Sequence, residues 1–122
     1  MTIQDVKDIL EASVLEGGDR MNEEVETACG SDLMSDVLAF VKEKAVLITG
    51  LINPHVVRTS EMLDITCIVF SRGKLPSQEI LEEAEESGIT VLATNMTTYT
   101  ACGELYMHGL PGSKRRAPAE GA

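Results

Sequence analysis

The chain has 122 residues, of which 43% are hydrophobic and 25% are charged, and this size and composition fit one globular domain. Its formal net charge is −10, which argues against nucleic acid and anionic membrane as partners because both bind basic patches. No apolar run reaches the ~18 residues of a membrane-spanning helix, and the N-terminal residues lack the apolar core of a signal peptide. We therefore expect a cytoplasmic protein that contacts neither nucleic acid nor membrane.

The N-terminal part of the chain predicts one helix followed by two short strands. Apolar residues recur at helical spacing after Thr2, whose hydroxyl can cap the first turn. Ser13–Glu16 is the first strand candidate and ends at the Gly17-Gly18 turn, and residues 25–29 are the second. Because these strands are so short, we expect them to be additions to a larger sheet.

Three continuous apolar runs predict the body of that sheet. They are Ala45–Thr49, Ile65–Phe70 and residues 89–93, and such runs are typical of parallel strands buried on both faces. Helical patterns alternate with the strands at residues 33–42, 54–63, 76–87 and 97–107. Ser31 or Asp32 caps the first of these helices, Asn53 caps the second with Pro54 at its first position, and Gly88 ends the third.

Strands that alternate with helices in this way predict a three-layer α/β/α fold around a parallel or mostly parallel sheet. The predicted core comprises Val46, Ile48, Cys67, Val69, Val91, Leu38 and Leu81. We expect residues 1–110 to form a single domain. Residues 111–122 are rich in glycine, proline and alanine and contain the basic run Lys114-Arg115-Arg116, so they predict a disordered tail.

The sequence contains no signature of an enzyme or of a metal site. The three cysteines, Cys29, Cys67 and Cys102, are far apart and have neither a disulfide-framework nor a zinc-ribbon spacing. Phosphate-loop, dinucleotide-binding and nucleophile-elbow motifs are missing. The sequence therefore predicts no catalytic residue, no metal and no cofactor.

The loops after the strands are the place where a ligand would bind, because ligands of open parallel sheets lie beyond the carboxyl ends of the strands. These loops carry small hydroxyl and amide residues beside helix N-termini, whose free N–H groups favour anions, and Arg72 and Lys74 are their only cations. The candidate anion-binding residues are Ser31, Asp32, Thr49, Gly50, Asn53, Ser71, Arg72, Thr94 and Asn95. The alternative interpretation is that the same residues are ordinary caps and turns.

Several segments resemble the DRTGG domain family. Residues 29–38, Cys-Gly-Ser-Asp-Leu-Met-Ser-Asp-Val-Leu, are similar to the SDLLSDV segment of that family. Residues 45–50, the run Ile65–Phe70 with its turn and acidic helix, residues 88–94 and residues 101–106 also fit, so the resemblance covers roughly residues 2–110. The name-giving Asp-Arg-Thr-Gly-Gly string is not continuous in this chain, where Gly17-Gly18 precede Asp19-Arg20.

The resemblance implies a regulatory or accessory module with an α/β fold and no agreed reaction. Similar domains occur at the N-terminus of some phosphotransacetylases and between the adenosine-nucleotide-sensing CBS domains of some inorganic pyrophosphatases. Others are small free-standing proteins, some of them encoded beside iron-only hydrogenase genes. The N-terminal domain of HPr kinase/phosphorylase is similar as well.

The sequence leaves several functions open. We expect a non-catalytic regulatory or accessory module that binds an anionic small molecule, either a nucleotide or a phosphorylated metabolite, or a protein partner. The alternatives are an enzyme that acts on a phosphorylated substrate and a purely structural subunit of a larger complex. We also expect a homodimer, because the last helix offers an apolar stripe formed by Met96, Tyr99, Cys102, Leu105 and Tyr106.

Overall fold

The computed structural model describes residues 1–32, 34, 37, 44–63 and 65–112. In chain order the elements are α1 (Ile3–Ile9), β1 (Ser13–Glu16), a 3-10 turn (Gly18–Arg20), β2 (Thr27–Gly30), β3 (Ala45–Thr49), α2 (His55–Met62), β4 (Ile65–Phe70), α3 (Gln78–Ser87), β5 (Thr90–Ala93) and α4 (Thr98–Met107). The helix predicted at residues 33–42 falls mostly outside the described residues, and so does Leu38. Within that range Met34 and Val37 are helical, and Val37 is buried.

The five strands form one mostly parallel sheet in the order β1-β5-β4-β3-β2. Strands β2 to β5 are parallel to their neighbours, while β1 pairs antiparallel with β5 and places Ser13 opposite Ala93. The parallel body and the short added strands were both predicted from the sequence. Since β1 is antiparallel, its first residue lies at the edge where the other strands end.

The three layers follow from the order of the strands. The chain steps from β2 to β3, β4 and β5 in one direction, and crossovers of the same hand then lie on one face of the sheet. Helices α2 and α3 cover that face through buried residues that include Val56, Ile80 and Ala84, and Val37 belongs to the same buried cluster. Helices α1 and α4, which precede and follow these crossovers, cover the other face.

Alternate residues of each inner strand fill the two cores, as the pleat of a strand requires. In β3, Val46 and Ile48 face α1 and α4, whereas Leu47 faces α2 and α3. The predicted core is confirmed for Val46, Ile48, Cys67, Val69 and Val91, each fully buried, while Leu81 is only partly buried. Burial raises the pKa of the Cys67 thiol, so this cysteine packs as a small apolar side chain.

The ends of the helices follow the cap residues. Thr2 and Asp5 form a capping box at α1, and Gly88 ends α3 with φ of 71°. Helix α3 begins two residues later than predicted because the Ser77 side chain accepts the Ile80 N–H at 3.3 Å. Asn53 stands before α2 as predicted, where its Oδ1 accepts the His55 N–H at 2.9 Å.

Strand β2 also begins two residues later than predicted. The Val25 N–H donates to Met1 O at 2.8 Å, so this buried residue pairs with the N-terminal segment rather than with β3. On the other side of β2, the Ala28 N–H donates to Pro111 O at 2.9 Å and Gly112 forms an isolated parallel bridge with Ala28. Residues 113–122 of the predicted tail lie outside the described residues.

The apolar stripe predicted on the last helix divides between two environments. Leu105 is fully buried against the sheet together with Ala101, so it is not available to a partner. Tyr99 and Tyr106 are instead 89% and 72% exposed. None of the helices in the described ranges has the length and apolar character needed to cross a membrane.

Candidate functional site

The candidate site is the carboxyl edge, which we define as the loops after β2, β3, β4 and β5 together with the first residues of β1 and α4. The four loops meet there because the strands they follow are parallel neighbours. After β5 the chain runs back toward β4, and the Arg72 N–H donates to Met96 O at 2.7 Å. Helix α4 therefore begins above the ends of the inner strands.

Asp32 joins the loops after β2 and β3. Its Oδ1 accepts the Gly50 N–H at 2.7 Å and the Thr49 hydroxyl at 3.0 Å. The Thr49 hydroxyl in turn accepts the Leu51 N–H at 3.1 Å. Asp32, Thr49 and Gly50 were all predicted as ligand contacts, and the structure brings them together. In this arrangement the three residues satisfy one another's hydrogen-bonding groups.

Arg72 lies against Gly50 in an uncommon backbone conformation. Its φ is 59°, a left-handed value that costs a non-glycine residue free energy. The turn is held by the Arg72 N–H bond to Met96 and by the Gly73 N–H, which donates to Thr94 O at 2.9 Å. A Cβ added at Gly50 would come within 3.1 Å of Cζ and Nε of Arg72. The guanidinium therefore packs on the glycine backbone, and Arg72 as a whole residue is exposed to solvent.

The Arg72 guanidinium has no ion-pair partner in the part of the chain that the structure describes. No carboxylate of the described ranges lies within 4.0 Å of it, since the ion pairs there join other residues. Asp32 flanks the same glycine but does not reach ion-pair distance. The edge thus presents an exposed cation beside Gly50, which is buried.

The start of α4 meets the loop after β4. The hydroxyls of Ser71 and Thr98 lie 2.6 Å apart, and Thr97 caps the helix by accepting the Thr100 N–H at 3.3 Å. The N–H groups of the first two helical residues, Thr98 and Tyr99, have no partner within a helix, so they add donors to this side of the edge. Gly30 packs against Cys102, and burial raises the pKa of that thiol.

The remaining predicted residues have structural partners or stand apart. The Thr94 hydroxyl donates to Leu10 O at 2.7 Å and accepts the Met96 N–H at 3.2 Å, so it fastens the end of α1 to β5. The Ser31 N–H donates to Ile48 O at 3.0 Å. Asn53 serves as the cap before α2, and Asn95 is exposed beside Gly73.

The sequence prediction missed residues that β1 brings to the same edge. Glu11 and Ser13 line a pocket of about 250 Å³ together with Thr94 and Asn95, and Leu75 reaches it from the loop after β4. Glu11 precedes a strand rather than following one, so the rule that located the other residues passed over it. Its φ of 50° is a second left-handed non-glycine value, and neither glycine nor asparagine marked it in the sequence.

The part of the chain described by the structure holds no group of three histidine, cysteine, aspartate or glutamate side chains that could bind a metal ion. The donors at the carboxyl edge include the Arg72 guanidinium, the Lys74 ammonium group, backbone N–H groups and hydroxyls. Such groups suit an anionic ligand.

The fold and this edge define an α/β module built on a mostly parallel sheet. The chain belongs to the DRTGG domain family, whose match covers residues 5–106, as the segments of resemblance predicted. No curated protein matches the chain.

A similar solved structure is the regulatory region of Clostridium perfringens pyrophosphatase, described as its CBS and DRTGG domains complexed with the activator diadenosine tetraphosphate. The TM-score is 0.69 at 22% identity, over 90% of this chain and 47% of the other. The likeness shows a shared fold, and this chain spans about half the length of that region.

Proposed function

We propose that this protein is a regulatory module that binds an anionic small molecule, a nucleotide or a phosphorylated metabolite, at the carboxyl edge. The observation that carries this proposal is Arg72. A left-handed backbone conformation is maintained there by two backbone hydrogen bonds, and it presents a guanidinium that no described carboxylate neutralises. Strained residues of this kind occur preferentially at functional sites.

The charge of the whole chain makes this cation important. With a net charge of −10, the protein repels anions at long range, so affinity for an anion depends on a fixed local cation and on aligned N–H groups. Arg72 supplies the charge and a planar pair of donors that fits phosphate or carboxylate. The first N–H groups of α4, beside Ser71 and Thr98, supply directed donors.

Binding is favoured over catalysis by the state of the hydroxyl groups. Thr49, Ser71 and Thr94 each hydrogen-bond to a neighbouring oxygen at 2.6–3.0 Å, so each is engaged in holding loops together. The similar pyrophosphatase region, which contains a DRTGG domain, is a regulatory region that was crystallised with a nucleotide activator, and this supports a nucleotide as the ligand. We place the module in the cytoplasm, where its three cysteines would stay reduced.

Calorimetric titration tests the proposal after a thermal-shift panel of nucleotides and phosphorylated metabolites has selected a ligand. Arg72→Ala should weaken binding by about 1–3 kcal/mol, the value of a charge-assisted hydrogen bond. The matched control is Arg58→Ala, which removes the same charge from an exposed position on α2, and it should leave the affinity unchanged. Equal losses in both variants would mean that only net charge matters. A panel without any hit would favour the structural subunit, and turnover of a phosphorylated substrate would favour an enzyme.

We also propose that the module forms a homodimer through the exposed face of α4, formed by Tyr99, Tyr106 and Met107. This face borders a shallow depression of about 560 Å³. Glu104 is the only acidic or basic residue in α4, and it lies 4.0 Å from the His108 ring. A second copy, which is equally acidic, meets the least repulsion on such a neutral surface, and apolar exposed patches are typical of interfaces.

Sedimentation equilibrium at micromolar concentration distinguishes the dimer from the monomer. We expect a mass of twice 13.2 kDa for the wild type and a monomer for Tyr106→Glu, which places a charge in the neutral face. Glu86→Lys, at the far end of α3, is the control and should stay dimeric. A wild-type mass near that of one chain would refute the homodimer and leave the α4 face to a different protein.

A further inference from the structure

The carboxyl edge contains a second feature besides Arg72, a groove between β1 and β5. Two adjoining pockets of about 250 Å³ and 210 Å³ share Glu11, Thr94 and Asn95 as lining residues. We call their union the β1–β5 groove. Gly73, the residue after Arg72, also lines it, so the groove begins where the cation loop ends.

The chemistry of the groove differs from that of the Arg72 side of the edge. Its polar groups are the Glu11 carboxylate, the Asn95 amide and the Ser13 hydroxyl, and it has no lysine or arginine among its lining residues. Its apolar lining residues include Leu15 and Leu75, and Leu75 is 65% exposed. A carboxylate repels phosphate but accepts N–H and O–H donors, and exposed leucine favours a flat apolar group. These properties suit a nucleobase that carries an amino group.

The backbone of the groove and of the cation loop share a feature. Glu11 and Arg72 are the two non-glycine residues with positive φ, at 50° and 59°, in the described part of the chain. Both residues lie beside the segment 94–96. On one side, the carbonyl of Leu10, which precedes Glu11, accepts the Thr94 hydroxyl. On the other side, the Arg72 N–H donates to Met96 O. The same short segment thus separates an acidic group from a basic one.

The spacing of the strands gives the distance between the two groups. Arg72 packs over Gly50 at the end of β3, and the groove lies between β5 and β1. Two and a half strand spacings of ~4.8 Å separate them, or roughly 12 Å. A ligand that reaches both needs a chain of phosphates rather than a single phosphate beside its sugar.

We propose that the ligand is a nucleoside polyphosphate, with its base in the β1–β5 groove and its terminal phosphates at Arg72. The exocyclic amine of the base donates to the Glu11 carboxylate, and Leu75 covers the base plane. This proposal rests on the proposed function, and it assigns that site a base-recognition half which the cation loop alone lacks.

Titration with matched ligands tests the groove. The probes are ATP, inorganic tripolyphosphate, which has no base, and ITP, whose base carries an oxygen in place of the amine. We expect the wild type to bind ATP about tenfold or more tightly than either of the others. Glu11→Gln and Leu75→Ser should each weaken ATP by about fivefold or more and leave tripolyphosphate unchanged. Glu86→Gln, which removes the same charge at the opposite end of the sheet, should affect none of the three, and Arg72→Ala should weaken ATP and tripolyphosphate alike.

The outcomes separate this inference from the proposed function. Equal binding of ATP and tripolyphosphate by the wild type, with both weakened by Arg72→Ala, would refute the groove and leave the anion site standing. Tight ATP binding that Glu11→Gln and Leu75→Ser do not change would place the base elsewhere. Binding of neither ATP nor tripolyphosphate would refute the nucleoside polyphosphate as the ligand, and the thermal-shift panel would then decide the proposed function by itself. Melting temperatures of the variants identify any loss that comes from misfolding.

Discussion

The interior of the sheet and its carboxyl edge are stabilised in different ways. In the interior, residues such as Leu47, Ile68 and Val69 are fully buried between two layers of helices, and their stabilisation comes from removing apolar surface from water. At the edge, polar groups from loops far apart in the sequence satisfy one another. Asp32 binds Thr49 and Gly50, and Thr94 binds the Leu10 carbonyl. The interior depends on burial, whereas the edge depends on exact partners.

Because of this difference, substitutions in the interior and substitutions at the edge should affect different properties of the protein. Substitutions in the interior affect stability first, because nothing there is free to contact a ligand. At the edge, some polar groups hold loops together and the exposed Arg72 side chain does not, so stability and binding should respond to different substitutions. Four sets of variants test this separation.

The largest effect is expected in the interior. Leu47→Asp places a charge without a partner in a fully buried position, which costs about 3–5 kcal/mol or more, a large part of the about 5–15 kcal/mol that stabilises a domain. We expect this variant, and equally Val69→Asp, to be unfolded by circular dichroism at room temperature. Leu75→Asp, the same change at an exposed leucine, should remain folded with a near wild-type melting temperature. A cooperative wild-type melt from Leu47→Asp would remove that residue from the core.

A smaller loss is expected where the edge holds its loops. Asp32→Ala leaves the buried Gly50 N–H without its acceptor, which costs about 1–3 kcal/mol in denaturant unfolding. Asp32→Asn keeps an oxygen acceptor, so it should retain most of the stability, and anion affinity should rise because a negative charge beside Arg72 is gone. Asp19→Ala removes a carboxylate that is 83% exposed and should change neither property. Equal stability of Asp32→Ala and wild type would show that the hydrogen bond is not needed.

Arg72 should separate stability from binding. Glycine adopts left-handed φ without strain, so Arg72→Gly should be more stable than Arg72→Ala by about 1 kcal/mol. Both variants remove the guanidinium, and both should lose affinity for the anion. Chemical denaturation measures the first difference and calorimetry measures the second. An Arg72→Gly variant that is less stable than Arg72→Ala would contradict the left-handed conformation.

The smallest effect is expected at Asp5, a solvent-exposed carboxylate whose hydrogen-bond partner is only three residues away in the sequence. The Thr2 backbone N–H donates to the Asp5 carboxylate at 2.9 Å and holds the pKa of Asp5 below its ordinary value of 3.8. Because the pKa of Asp5 is lower in the folded than in the unfolded chain, the ionised carboxylate stabilises the fold above pH 3.8. This stabilisation is lost as the pH falls through the folded pKa. Asp5→Asn should therefore melt slightly below the wild type at neutral pH, and the difference should vanish in acid. A difference that grows on acidification would contradict this assignment.

The interior could be predicted from the sequence because burial on both faces leaves a continuous apolar run. The bounds of Ala45–Thr49 and Ile65–Phe70 are those predicted, and so is the parallel pairing that follows from the helices between them. Asp32 and Arg72 could be placed at the edge by the same rule. Their separate tasks could not, because Asp32 acts through atoms 17 and 18 residues away.

Glu11 shows most clearly where prediction from the sequence ends. Its position depends on β1 pairing antiparallel with β5, across about eighty residues of chain, and no local pattern encodes that pairing. Thr94 and Ser71 likewise resembled ligand contacts because hydroxyl groups serve both purposes. The structure shows that these hydroxyls hydrogen-bond to the Leu10 carbonyl and to Thr98. Those partners identify them as groups that hold loops together, which the residue types alone did not reveal.

The pairing around residues 25–28 has a topological consequence. The Val25 N–H donates to Met1 O and the Ala28 N–H donates to Pro111 O, so Met1 and Pro111 lie beside two positions that are three residues, or roughly 10 Å, apart. Because Met1 and Pro111 are close in space, the segment between them could be inserted into a surface loop of a host protein through short linkers, with little distortion of either fold. For the same reason, a circularly permuted chain in which residue 112 is joined to residue 1 should fold to the same structure.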